Sequence, residues 1–406
     1  MDKHSRQITI IVFVFALGVV LINLVSLLFP ALLVTSVIGS ESGINPFELG
    51  AWTVPFLSAN FAILVFGVLY YRRLLPHIIS KSLNSLFNFE VSKKTSIIVF
   101  SIIIGLYITL SAGELSQNEI DTWHDWQFLG PIIEQFPYGG EDDPSLKLLY
   151  VKNFLLYSSQ QVFQNVKIIP FIGSISVVFL TYFLTVQIAK KRFAGLVAMV
   201  ILLQSHTFLR YDTTATFSNF WTAFYLVSLL LIYKKWPLSP LAYIASIFSK
   251  TLTVLFLPMS LFFIFRSTIA KKTKILLTIP FVIIFVAISG MIYFGGGLGY
   301  SESITSFESE DFFGSLSAWA FQLRIDGVVL VFLLPLTVGL FIKSYQGIRE
   351  ADSILVMIAG MLLAMPLLAS LLVVNIEPYR WIPMIAFFAI GVGVLLSKTS
   401  VNRPEY

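Results

Sequence analysis

The run Asn118-Glu119-Ile120-Asp121-Thr122-Trp123-His124-Asp125-Trp126 sets three carboxylates, Glu119, Asp121 and Asp125, among two tryptophans. A carboxylate held at a membrane surface can act as a general base on a hydroxyl, or can hold a divalent cation such as Mg²⁺ or Mn²⁺. Read as one helix over 119–133, Trp123, Trp126 and Ile133 form an apolar stripe suited to lying on lipid. Asp121 and Asp125 then sit one turn apart on another face, with Glu119 at the helix start. His124 has no second histidine nearby, since the others are His4, His77 and His206. The complementary chemistry, cations that fix developing negative charge, is offered by Arg210, Lys250 and Arg380, each beside the end of an apolar run, and by Arg324. Arg suits bidentate contact with phosphate, and Lys serves as a point charge.

What positions these residues is a membrane protein. Of 406 residues, 57% are hydrophobic and only 12% charged, and Phe occurs 38 times. A water-soluble exterior could not be built from so few charges, so soluble enzymes, nucleic-acid binders and disordered scaffolds are excluded. Absence of Cys removes disulfides, thiolate metal sites and cysteine nucleophiles. Apolar runs near the roughly 20 residues needed to cross a bilayer cover 8–37, 52–71, 95–112, 166–189, 193–209, 214–233, 275–294, 326–342, 353–374 and 381–397. The first follows MDKHSR, outlasts a signal-peptide core and reads as an uncleaved span.

One set of loops carries 20 of the 27 basic residues, and the other carries 17 of the 22 acidic ones. The basic set is expected in the cytoplasm with both termini. The alternation closes only if 238–265 crosses twice, as a helical hairpin with Lys250 at its outer tip. The expected fold is therefore an all-α integral membrane protein of about 12 transmembrane segments. Two long outer loops, 113–165 and 295–325, would carry interfacial helices. Legs of about 12 and 15 residues are too short to span the hydrocarbon fully, so Lys250 is expected to sit recessed below the outer surface. The division expected is an N-terminal pair of spans with a cytoplasmic loop (1–94), a membrane core (95–397) and a tail (398–406).

The order of features resembles the GT-C superfamily of polyprenyl-phosphate-sugar-dependent glycosyltransferases, in the protein O-mannosyltransferase and aminoarabinose-transferase-like branch. The resemblance covers about 95–397. It rests on Asn118-Glu119-Ile120-Asp121 as the acidic motif and Asp143-Pro144-Ser145-Leu146 as a second interfacial element. It also rests on Asn165-Val166-Lys167-Ile168 before the next span, paired spans over 181–235 with Arg210 and Asp212 between them, a span with embedded Lys250, and a closing span headed by Arg380. The sequence departs from the family where an Asp-Glu pair is replaced by Asn118-Glu119, where Lys167 stands for an Arg, and where a doubled Pro is single.

The resemblance implies sugar transfer from a polyprenyl-phosphate donor to a hydroxyl of a protein or glycolipid acceptor. The transfer would occur on the extracytoplasmic face of the plasma membrane, in cell-envelope glycosylation. It implies Glu119 or Asp121 as the base and Arg210, Lys250 and Arg380 as lipid-phosphate ligands, with Asp125, Arg324 and Lys167 as further site residues. Asp212 is expected to pair with Arg210 across its turn. Membrane lipid is a further expected partner, and nucleic acid is not. A non-catalytic accessory subunit and a solute transporter are the competing classes; nearly charge-free spans argue against transport.

Overall fold

The computed structural model describes residues 3–32, 45, 47–137, 149–294, 307, 309–370 and 377–397. The run Glu141-Asp142-Asp143, the Asp143-Pro144-Ser145-Leu146 element and the tail 398–406 lie outside these residues. Every regular element among the described residues is helical. In chain order the helices are α1 (Lys3–Leu28), α2 (Thr53–Tyr71), α3 (His77–Asn88), α4 (Lys93–Ser111), α5 (Glu119–Thr122), α6 (Trp126–Glu134) and α7 (Tyr150–Phe163). Then follow α8 (Ile168–Ala189), α9 (Arg192–Leu203), α10 (His206–Arg210), α11 (Phe220–Lys234), α12 (Ser239–Ser249), α13 (Leu257–Arg266) and α14 (Lys271–Phe294). The series ends with α15 (Ser309–Gln322), α16 (Gly327–Tyr345), α17 (Glu350–Ala369) and α18 (Ile382–Leu395).

Among the described residues, eight helices are long and apolar enough to cross a membrane, which makes this a multi-pass membrane protein. Shorter apolar helices lie at Arg192–Leu203, Phe220–Lys234 and Thr251–Arg266. The closing segment Pro378–Leu395 is 83% buried within the protein, whereas Thr53–Tyr71 and Lys271–Gly290 are 17% buried. So α18 is the axis of the bundle, enclosed by α8, α9, α16 and α17, while α2 and α14 are peripheral. Helix α1 packs against α15, α16 and α17 rather than standing apart from the core.

The apolar run 238–265 is interrupted at Lys250. That residue caps α12 in an extended conformation, and Thr251–Phe256 follows as a 3-10 segment. Tyr243 donates to the Thr253 carbonyl at 2.8 Å and Ser246 to Thr253 Oγ1 at 3.2 Å. Both bonds hold Thr253 against the helix that precedes it.

Two expected elements differ. The run 193–209 is helical only to Leu203, followed by the five-residue α10, and 211–219 is irregular. Ser205 stops the first helix by capping the second, accepting from Phe208 N at 3.0 Å. Asp, Thr, Ser and Asn beyond it bond locally and compete with helix formation. Likewise the interfacial helix expected over 119–133 breaks at Trp123, which is extended (φ −133, ψ 107), into α5 and α6. Asp121 and Asp125 therefore do not share a helix face.

At the end of the bundle where α1 begins, Arg266 is buried and ion-paired with Asp352. Its guanidinium also donates to Ser5 Oγ at 3.0 Å and Thr9 Oγ1 at 3.3 Å, tying α13 and α17 to α1. At the same end Lys191 donates to the Phe87 carbonyl at 2.7 Å, and Lys343 to that of Ser397 at 3.0 Å.

Helices cross closely at Gly393, where a Cβ would lie 2.4 Å from Thr185 Cγ2 and 2.7 Å from the Ala194 carbonyl oxygen. Gly393→Val is expected to destabilise the bundle by about 1–3 kcal/mol through overpacking. Gly18→Ala, with nothing within 4 Å, should not. Thermal midpoints of the detergent-solubilised variants check this.

Candidate anion-binding site

The irregular segment Tyr211–Asn219 is polar and yet buried. Asp212 is 1% exposed, Thr213 2%, Thr216 6% and Asn219 0%. Non-helical chain inside a membrane protein must have its polar groups satisfied by neighbouring protein or water. The first long loop supplies many of those partners. Thr213 Oγ1 donates to Glu114 Oε2 at 2.9 Å. The Thr216 N–H and hydroxyl both donate to Glu119 Oε1 at 2.8 Å. Helix α7 supplies Lys152, whose ammonium donates to the Thr216 carbonyl at 2.6 Å. From beneath, Asn219 Nδ2 donates to Ser174 Oγ of α8 at 2.9 Å, and Ser111 of α4 donates to Asp212 Oδ2 at 2.9 Å.

Glu119 is thereby fixed. Its second oxygen lies 3.4 Å from Lys167 Nζ, and the two side chains are 2% and 4% exposed. Lys167 also donates to the Glu114 carbonyl at 3.3 Å. Asp121 stays exposed, accepting from Asn118 Nδ2 at 3.0 Å, and Asp125 is exposed at the start of α6.

The cations meet on an aromatic wall. Trp123 stacks on Tyr211 at 5.0 Å between ring centres, and Phe217 stacks on Tyr379 at 4.6 Å. Trp123 and Tyr211 each meet Phe217 edge-on, at 5.0 and 5.7 Å. Arg210 is exposed at one edge, over Trp123 at 5.6 Å. At the other edge Lys250 hydrogen-bonds the Tyr379 hydroxyl and lies 4.9 Å from the ring centre. Arg380, 8% exposed, lies over the same ring, 5.8 Å from its centre. The break in the expected interfacial helix has its cause here: extending the chain at Trp123 turns the indole inward onto Tyr211.

Of the predicted cations, Lys250 and Arg380 are thus brought together and Arg210 is joined to them through stacked rings. Arg324 lies over Phe321 at 3.7 Å; the neighbouring Trp319 stacks on Trp381 at 4.4 Å. Lys167 serves Glu119 rather than the wall. The expected Arg210–Asp212 pair is not formed: Asp212 turns inward to Ser111 while Arg210 covers Trp123. Among the described residues no three His, Asp or Glu side chains converge as metal ligands.

Sequence reasoning missed three participants. Lys152 was visible as a cation of the acidic loop set, but the spacing did not place it beside a span end. Thr216 and Tyr379 carried no signal of their own. Lys152 is pushed down to about 8, first by burial and then by the charge of Lys250. Asp212 is pushed up to about 7, chiefly by burial.

No family model, no characterised protein and no solved structure matches the chain.

A carboxyl that binds its proton more tightly folded than unfolded supports the fold most at low pH, and that support is lost as pH rises through the folded value. Asp212 should therefore make stability fall between about pH 4 and 7. Asp212→Asn is expected to flatten that part of the profile, measured as the thermal midpoint against pH.

Proposed function

We propose that the protein is a membrane glycosyltransferase that moves a sugar from a polyprenyl-phosphate donor to a hydroxyl of a protein or glycolipid acceptor. The site would face the extracytoplasmic side of the plasma membrane, in a chain of twelve membrane segments with both termini in the cytoplasm. The observation that carries this reading is the convergence of Lys250 and Arg380 on Tyr379, at one end of an aromatic wall bordered by exposed carboxylates. Supporting the sidedness, the contacts at the opposite end engage Lys191, Arg266 and Lys343, members of the basic loop set.

In this reading Lys250 and Arg380 hold the lipid phosphate, and the rings of Trp123, Tyr211 and Phe217 offer an apolar face to the sugar. Asp121, exposed at the end of its short helix, takes the acceptor hydroxyl proton as that oxygen attacks the anomeric carbon. The anomeric C–O bond to phosphate breaks, and polyprenyl phosphate leaves with the electron pair, its charge held by the cations. Glu119 positions the loop that carries Asp121. One observation favours a second reading, a non-catalytic subunit that binds lipid phosphate without turnover. It is the enclosure of Glu119 between Thr216 and Lys167, which withdraws it from proton transfer.

Transfer from a labelled polyprenyl-phosphate sugar, followed in membranes containing the full chain, tests the proposal. Asp121→Asn should lower turnover about 10²–10⁴-fold, the usual contribution of a general base. Lys250→Met and Arg380→Met should weaken donor binding. Binding without any transfer would favour the accessory-subunit reading, and wild-type donor binding in both cation variants would overturn the site.

A further inference from the structure

Lys152 lies outside the cations that spacing and family likeness single out, yet the fold bonds it to Thr216, the residue before Phe217 of the same wall. It projects from α7, which packs against α8, α12 and α6. Its ammonium donates to a neutral acceptor, the Thr216 carbonyl. The groups whose charges act on it come from four elements: Lys250 at the tip of α12, Tyr379 before α18, Glu119 in α5 and Asp125 at the start of α6. Of these, Glu119 is occupied by Thr216 and Lys167. Lys250 is a like charge in a half-buried setting, an arrangement that costs free energy in the unliganded protein and is relieved when an anion joins both ammonium groups.

We propose that Lys152 is a third phosphate-binding residue of this site, closing with Lys250 and Arg380 around the phosphate of an anionic lipid. The inference rests on the reading of the site given above. It adds a residue that touches the ligand, and it predicts how binding depends on pH. Below about pH 8 the Lys152 ammonium is charged and donates to phosphate oxygen; above it the charge is lost. An arginine at the same position keeps its charge throughout.

The test measures binding of polyprenyl phosphate, without sugar, to the full chain in nanodiscs from pH 6.5 to 9.5. Inorganic phosphate runs in parallel, to separate a lipid headgroup from free anion. Wild-type affinity should fall about tenfold or more across this range, as expected for loss of one charge-assisted hydrogen bond. Lys152→Met should be weaker by a similar factor at pH 7 and lack that fall. Lys152→Arg should match wild type at pH 7 and remain flat to pH 9.5.

A role confined to anchoring Thr216 would lower the thermal midpoint of Lys152→Met while leaving affinity and its pH dependence at wild-type values, and would overturn the inference. So would a wild-type pH fall retained in Lys152→Arg, which would assign the titration to another group. If wild type binds inorganic phosphate but not the lipid, the anion site stands and the lipid ligand is wrong. If wild type binds neither, the proposed function fails and this inference with it. If wild type binds and transfers normally and Lys152→Met is indistinguishable from it, this inference alone fails.

Discussion

A polar, non-helical segment at Tyr211–Asn219 has to be satisfied inside a protein built mostly of apolar helices, and that constraint organises the rest of this end of the molecule. Water-poor surroundings make each unpaired N–H, carbonyl or hydroxyl expensive. The solution recruits partners from four elements: Ser111 of α4, Ser174 of α8, Lys152 of α7 and Glu119 of α5. Each bond that satisfies the segment also pins one wall of the site. The position of the first long loop is thus a consequence of the backbone it covers.

The aromatic residues follow from the same constraint. Covering a polar loop with lipid-facing chain alone would leave its rim wet on one side and apolar on the other. Trp123, Tyr211, Phe217 and Tyr379 resolve this by presenting rings to one another and polar tips or π faces to cations. Lys250 is part of that solution. Because α12 has only 11 residues, about 16 Å at 1.5 Å per residue, its end lies short of a full membrane crossing. A lysine there needs polar cover, and the Tyr379 hydroxyl gives it.

How much of this could be read beforehand depended on the range of the determining interaction. Apolar helices declare themselves through hydropathy alone, and the interruption at Lys250 was visible as a charge inside an apolar run. Lys250 and Arg380 were legible as candidates because both lie at the ends of apolar runs. The helix break at Trp123 was not, because local spacing favours a continuous helix over 119–133, and only Tyr211 and Phe217, far along the chain, reward the extended conformation. Lys152, Thr216 and Tyr379 were hidden for the same reason. A lysine in an interfacial helix, a threonine in a turn and an interfacial tyrosine are ordinary residues until a tertiary contact selects them.

Thr216 illustrates why loss of function here has to be interpreted with care. Its N–H and hydroxyl hold Glu119, and its carbonyl holds the Lys152 ammonium, so one residue joins a buried carboxylate to a half-buried cation. Removing the Glu119 charge frees two donors, strands Lys167 in a buried setting and loosens the backbone that fixes Lys152. Any turnover under the proposed function would then drop whether or not Glu119 receives a proton. Asp121 lacks that coupling: it is exposed, its described partner is the neighbouring Asn118, and its substitution leaves the Thr216 bonds intact. In the proposed reaction, proton transfer and loop positioning would therefore be separable, because the two carboxylates of the motif, two residues apart, face opposite environments.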